Sequence, residues 1–156
     1  MSTLQTVTRF LQANRRTVTC AESCTGGLLA SEFTKLPGSS EWFEAGFVTY
    51  SNFSKQKFLG VQNETLLQYG AVSEQTVREM AEGALKAAGA DYALSISGIA
   101  GPTGGTDEKP VGTVWFGLAS TEKTWVKTAL FFGDRNNIRE QAVEFSLVFL
   151  AEHLHN

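Results

Sequence analysis

The chemistry in this sequence gathers where short polar side chains and glycines interrupt apolar stretches. The first such place is Ala21-Glu22-Ser23-Cys24-Thr25-Gly26-Gly27, set between the β-branched run Thr17-Val18-Thr19 and the apolar Leu28, Leu29 and Phe33. The run predicts a half-buried strand, and the residues from Leu28 predict the first turns of a helix. A strand-to-helix junction exposes backbone N–H groups at the positive end of a helix dipole, able to hold an anion or steady an oxyanion. A hydroxyl or thiol placed there has half of a hydrolase site around it. The plainer alternative is that Ser23 or Thr25 is an N-cap and that Gly26 and Gly27 only permit close packing.

Histidine usage narrows the chemistry. His153 and His155 are the only two, both in the C-terminal tail, so a Ser-His-Asp or Cys-His arrangement is not expected. A nucleophilic serine then needs another base, and lysine is the usual substitute, provided burial or a neighbouring cation keeps it neutral. Lys55 lies five residues after Tyr50, beyond a Ser51-Asn52 turn, and could fold back toward the strand end. The Tyr50 hydroxyl could pass the proton or donate to the oxyanion. Taken singly, Lys55 and Lys57 also fit solvated surface charge, and Tyr50 a strand-end aromatic. Cys24 competes as nucleophile, because a helix N-terminus lowers thiol pKa.

A second polar stretch, Gly98 to Thr106, holds Gly101, Thr103 and Gly104. It is not a Walker A sequence, since no Gly-Lys-Ser/Thr closes it. Its glycines and hydroxyls could form a nest of N–H groups around a phosphate or a ligand ring. Arg135 and Arg139 stand one helical turn apart, on one face at the start of the last predicted helix, where they suit a phosphate monoester or a solvated face.

Elements must position these groups. Leu4, Val7, Phe10 and Leu11 recur at helical spacing, closed by Asn14-Arg15-Arg16. After the Ser23 loop a helix runs to the stop at Leu36-Pro37-Gly38. Trp42 to Tyr50 reads as a buried strand, and Phe53 to Leu59 as a short helix carrying Lys55 and Lys57. Ser73 caps a helix, with Glu74 in its first turn, that Gly89 ends. Tyr92 to Ser97 reads as a strand. Gly112 to Ser120 and Trp125 to Phe132 form a hairpin, and Asp134 caps a last helix. The pattern implies an α/β fold, a three-layer α/β/α sandwich around a mixed, mostly parallel sheet. Sites in such sheets lie outside the carboxyl ends of the strands, where Ala21–Gly27, Ser51–Lys57 and Gly98–Thr106 would meet.

At 156 residues, 42% hydrophobic and 19% charged, the chain reads as one globular domain over 1–156. A net charge of −3 gives no basic footprint for nucleic acid. No apolar run reaches membrane-spanning length and no signal-peptide layout opens the chain, so a cytoplasmic protein is expected. Cys20 and Cys24 alone cannot build a zinc site and read as reduced thiols.

Several motifs stand together in order: AESCTGG at 21–27, TYSN with Lys55 after it, GAVSE at 70–74, SGIAGPTGGT with KPVGTVW, and GDR with Arg139. Over nearly the whole chain they resemble the C-terminal domain of the competence/damage-inducible protein CinA, a family that also occurs as stand-alone nicotinamide-nucleotide amidases. The resemblance implies an anticodon-binding-domain-like α/β/α fold. It implies hydrolysis of nicotinamide mononucleotide to nicotinic acid mononucleotide and ammonia, in pyridine nucleotide recycling, with no cofactor or metal and usually as a homodimer. Carried over by position, it makes Ser23 the nucleophile, Lys55 the general base and Tyr50 its helper; on physical grounds, N–H groups around Cys24, Thr25, Gly26 and Gly27 would hold the oxyanion. Ser97, Thr103, Arg135 and Arg139 become ligand and phosphate contacts. Without the N-terminal nucleotide-processing domain of full-length CinA, the chain looks like the stand-alone form. The alternative function is a non-catalytic nucleotide-sensing or partner-binding module linked to competence or DNA damage.

Overall fold

Strand β1 (Val18–Glu22) is buried along its whole length, which only a central strand covered on both faces achieves. In the computed structural model, which describes residues 1–155, it lies inside a five-stranded sheet of order β2-β1-β3-β4-β5. Strand β2 (Phe47–Val48) and strand β3 (Tyr92–Gly98) flank β1 and run parallel to it. Strand β4 (Thr113–Ser120) is antiparallel to β3, and β5 (Thr124–Leu130) is antiparallel to β4. Only β4 therefore opposes the other four, the mixed, mostly parallel sheet expected. The half-buried reading holds at Thr17 and is corrected at Val18 and Thr19: helices seal both faces, and Thr19 satisfies its buried hydroxyl by donating to the Ala45 carbonyl at 2.7 Å.

One helical layer holds α1 (Thr3–Asn14), α2 (Leu28–Phe33) and α6 (Arg135–Glu152), whose Leu11, Leu29, Phe33, Ile138 and Leu147 close on Ile96 and Phe116 of the sheet. The other holds α3 (Asn52–Leu59), α4 (Asn63–Tyr69) and α5 (Glu74–Ala88), whose Leu59, Leu66, Val77 and Met80 pack on Ala21 and Ala93. The caps of α5 are those of the sequence: the Ser73 hydroxyl accepts the Thr76 N–H, and Gly89 closes the other end at φ 63°. Asp134 likewise caps α6, accepting the Asn137 N–H at 2.8 Å. A Cβ on Gly83 would run into the Leu59 carbonyl, so α3 rests directly on α5.

Two sequence expectations are corrected. The strand expected over Trp42 to Tyr50 shrinks to Phe47–Val48. Trp42 instead follows a 3-10 turn at Ser39–Glu41, donates its indole N–H to the Phe33 carbonyl at 2.9 Å, and leaves Phe43 stacked on Phe33. Both aromatics meet the end of α2, while the Trp42 carbonyl accepts the Val18 N–H of β1 at 2.8 Å. Helix α4 was not anticipated. Its first residue follows Gln62, which supplies no side-chain cap. Glu79 of α5 takes the Gln62 N–H at 2.8 Å and the Thr65 hydroxyl at 2.7 Å instead, a cap made by tertiary approach that no local pattern announces.

Because β1, β2 and β3 are parallel, the segments leaving Glu22, Val48 and Gly98 emerge at one edge of the sheet. This brings together the three polar loops of the sequence.

Candidate active site

Alternation along β1 sorts the residues at its end. Ala21 faces the α5 layer with its neighbours Phe47 and Ser95, so Glu22 faces α2 and Ser23 returns toward the layer that supplies α3. The Glu22 carboxylate is fully buried. It accepts the Leu29 N–H at 2.8 Å, the Ala30 N–H at 3.0 Å and the Thr25 hydroxyl at 2.6 Å. The expectation that the start of α2 offers its N–H groups to a ligand is therefore corrected, because the chain's own carboxylate caps that helix. Among the described residues, the N–H groups of Cys24, Thr25 and Gly27 donate to no protein acceptor. Thr25 is fully buried, Cys24 nearly so and Gly27 half-buried, which leaves the Cys24 and Gly27 amides as the candidate donors to a ligand. The Gly26 N–H is spent on the Ser23 carbonyl at 3.1 Å.

Helix α3 delivers the base. Ser51 caps it, accepting the Ser54 N–H at 3.1 Å, and the next residue, Lys55, turns inward with 1% of its surface exposed. Its Nζ lies 3.0 Å from Ser23 Oγ, 2.8 Å from the Thr49 carbonyl and 3.1 Å from the Tyr50 carbonyl. No carboxylate pairs with it among the described residues, and burial pulls its pKa from 10.5 down to about 8. The two carbonyls can only accept. A neutral Lys55 amine that donates to both must turn its lone pair on the Ser23 hydroxyl, the orientation a general base requires. When Lys55 is protonated its third N–H fills that direction, and the Ser23 hydroxyl has the Tyr50 carbonyl, 3.4 Å away, as its own acceptor.

Tyr50 reaches this pair through its backbone. Its side chain is 58% exposed, and its hydroxyl accepts from Arg135 Nη2 at 2.9 Å, away from Ser23 and Lys55. Arg135 Nη1 also donates to the Gly101 carbonyl at 2.7 Å. Arg139 donates from Nε to the Cys24 carbonyl at 3.0 Å and from Nη2 to the Thr25 carbonyl at 3.3 Å. The start of α6 thus ties the three loops together. Thr103 and Gly104 lie exposed in the second glycine-rich loop, with no hydrogen bond to Ser23, Lys55 or either arginine among the described residues.

Sheet register adds hydroxyls beside the nucleophile. Glu22 pairs with Val48 and Ile96, so the next row runs Thr49, Ser23, Ser97. Thr49 Oγ1 is buried with no hydrogen-bond partner, and Ser97 is 1% exposed. Sequence reading found Ser97 but missed Glu22 and Thr49. The detectable signal for Glu22 was an acidic residue ending an otherwise apolar strand; Thr49 carried none. Cys24 packs in the core, where burial pushes its thiol up to about 11, which leaves it protonated and a poor nucleophile near neutrality. Among the described residues, no group of three or more histidine, cysteine, aspartate or glutamate side chains could hold a metal ion.

Comparison with known proteins agrees with this architecture. The family model described as the CinA C-terminal domain matches residues 1–154. The nicotinamide-nucleotide amidohydrolase PncC of Enterobacter agglomerans is 60% identical over 138 residues, covering 88% of this chain and 84% of that protein. Its counterpart in Escherichia coli K12 is 56% identical over 148 residues, covering 94% and 90%. A CinA superfamily protein from Klebsiella pneumoniae superposes with a TM-score of 0.93 at 41% identity, covering 99% of this chain and 98% of that one. With a family model spanning almost the whole chain and a buried Ser–Lys pair on its first motif, the chain belongs to the CinA C-terminal domain family.

Proposed function

We propose that this protein is a nicotinamide-nucleotide amidase, hydrolysing the carboxamide of nicotinamide mononucleotide to the carboxylate with release of ammonia. The observation that carries the reading is the 3.0 Å contact between Lys55 Nζ and Ser23 Oγ in a buried setting without histidine or a carboxylate partner. The PncC relatives are named for this activity.

In this reading neutral Lys55 takes the Ser23 proton as Oγ attacks the carboxamide carbon. The Cys24 and Gly27 N–H groups stabilise the oxyanion that forms. Lys55 returns its proton to the departing nitrogen, the C–N bond breaks, and ammonia leaves an ester on Ser23. Water then attacks that ester, giving its proton to Lys55. Collapse of the second tetrahedral intermediate returns the proton to Ser23 and frees nicotinic acid mononucleotide. The exposed Arg135 guanidinium, beside the Tyr50 hydroxyl, is suited to the substrate phosphate. Thr103, exposed on the second glycine-rich loop, is a further candidate contact, whereas Ser97 is buried in the row beside Ser23.

A cytoplasmic location and a homodimer belong to the same reading. Two free cysteines and the absence of a helix long and apolar enough to cross a membrane among the described residues support the first. Exposed Phe53, Phe58 and Leu67 support the second, which light scattering tests. The activity is tested by ammonia release from nicotinamide mononucleotide without added metal. Turnover supports the amidase; nucleotide binding without ammonia release would replace it with a sensing module.

A further inference from the structure

Arg139 sits among the groups suited to a phosphate, yet its observed contacts face the nucleophile loop. Nε donates to the Cys24 carbonyl at 3.0 Å, Nη2 to the Thr25 carbonyl at 3.3 Å, and Nη1 to Asn136 Oδ1 at 3.2 Å. Three of the five guanidinium N–H groups are thus engaged within the protein. Trans peptide planarity gives those contacts a consequence further along the loop. Holding the Thr25 carbonyl toward α6 turns the Gly26 N–H, on the other side of the same peptide plane, away from Arg139. That N–H donates to the Ser23 carbonyl at 3.1 Å. Anchoring the Ser23 carbonyl fixes the next plane, whose opposite side carries the unspent Cys24 N–H. Two peptide planes joined by one hydrogen bond therefore couple the guanidinium to the amide that follows the nucleophile. Gly26 makes the turn possible: it adopts φ +56°, and a Cβ there would come within 3.3 Å of Arg139 Nη2.

We propose that Arg139 is a positioning residue, which aims the Cys24 N–H at the developing oxyanion through the Thr25 and Ser23 carbonyls, and that it is not a contact to the substrate phosphate. The inference rests on the amidase reading and deepens it, by dividing the two arginines that sequence alone treats as one phosphate clamp. Arg135 is left for the substrate, and Arg139 belongs to the loop. A loop-positioning arginine changes transition-state stabilisation without changing ground-state binding. A phosphate contact does the reverse.

Two variants and two readouts separate these roles. Ammonia release gives kcat for wild type, Arg139→Gln and Arg139→Lys. Calorimetry gives the Kd of nicotinamide mononucleotide for Ser23→Ala with and without Arg139→Gln. Loss of one aligned oxyanion donor lowers kcat by about a hundredfold or more, so that fall is expected in both Arg139 variants. Lysine should not rescue, since one ammonium cannot span two carbonyls with the guanidinium's geometry. The Kd should stay within about twofold. A weakened Kd with kcat retained, or rescue by Arg139→Lys, would make Arg139 a phosphate contact and overturn the proposal. Loss of the native fold in both variants, seen by near-ultraviolet circular dichroism, would overturn it as well. An inactive wild type would instead strike the amidase reading itself, and this inference with it.

Discussion

Lys55 Nζ stands 3.0 Å from Ser23 Oγ, and its other two contacts are main-chain carbonyls. With no anion to hold a proton on it, the amine has one group left to deprotonate.

Activity should follow the titration of Lys55. Burial brings its pKa down to about 8, and the neutral amine is the active form, so kcat/KM should fall tenfold per pH unit below about 8 and level off above it. The pyridinium ring of the bound substrate disfavours a second positive charge beside it. The apparent pKa in the kcat profile should therefore lie lower than that in kcat/KM. Equal values would remove the effect of the pyridinium charge and leave the Ser23–Lys55 assignment standing.

The same group costs stability. Its folded pKa lies below the unfolded value, so the native state binds fewer protons between pH 8 and 10.5, and stability contributed by this site rises with pH across that window. The penalty at neutral pH is of the order of 3 kcal/mol, at about 1.4 kcal/mol per unit. Urea unfolding of Lys55→Met should show it more stable than wild type at pH 7, less the cost of two carbonyls left without a donor. That constant loss cancels in the pH dependence: the wild type should gain on the variant from pH 8 to 10. A flat difference would mean that native Lys55 keeps its proton through that window, and would contradict the lowered pKa.

Glu22 makes a prediction of a different kind. Glutamine there would set an NH₂ group against the Leu29 or Ala30 N–H, leaving a buried donor unpaired. We expect a loss of about 2 kcal/mol in unfolding free energy, measured by denaturant titration. A change below about 0.5 kcal/mol would mean that α2 is capped some other way.

Cys24, held at about 11 and buried, and Cys20, buried and also raised, should resist alkylation. In native protein at pH 8, iodoacetamide should label neither thiol within minutes, and unfolding in urea should release both. Rapid native labelling of Cys24 with parallel loss of activity would move the nucleophile to sulfur.

The sequence was most legible where structure is decided locally. Ser73, Gly89 and Asp134 carry their own cap chemistry, and α5 and the start of α6 lie where those residues say. The absence of histidine outside the tail pointed to lysine as the base, and Lys55 lies on Ser23. Legibility failed where a distant residue supplies the partner. Glu79 of α5 caps α4, and Glu22 reaches past its own loop to cap α2 from the end of β1; the side chain of Tyr50 turns to Arg135 while its carbonyl serves Lys55. Helical spacing put Arg135 and Arg139 on one face, but only tertiary contacts give them different partners.

The most direct measurement is kcat for ammonia release by Ser23→Ala, Lys55→Met and the double variant, each confirmed as folded. Residues that act as one unit lose their contributions together. The account predicts that each single variant loses on the order of a thousandfold and that the double loses no more than either. Losses that multiply, or substantial turnover by Ser23→Ala, would contradict the Ser23–Lys55 pair as the catalytic unit.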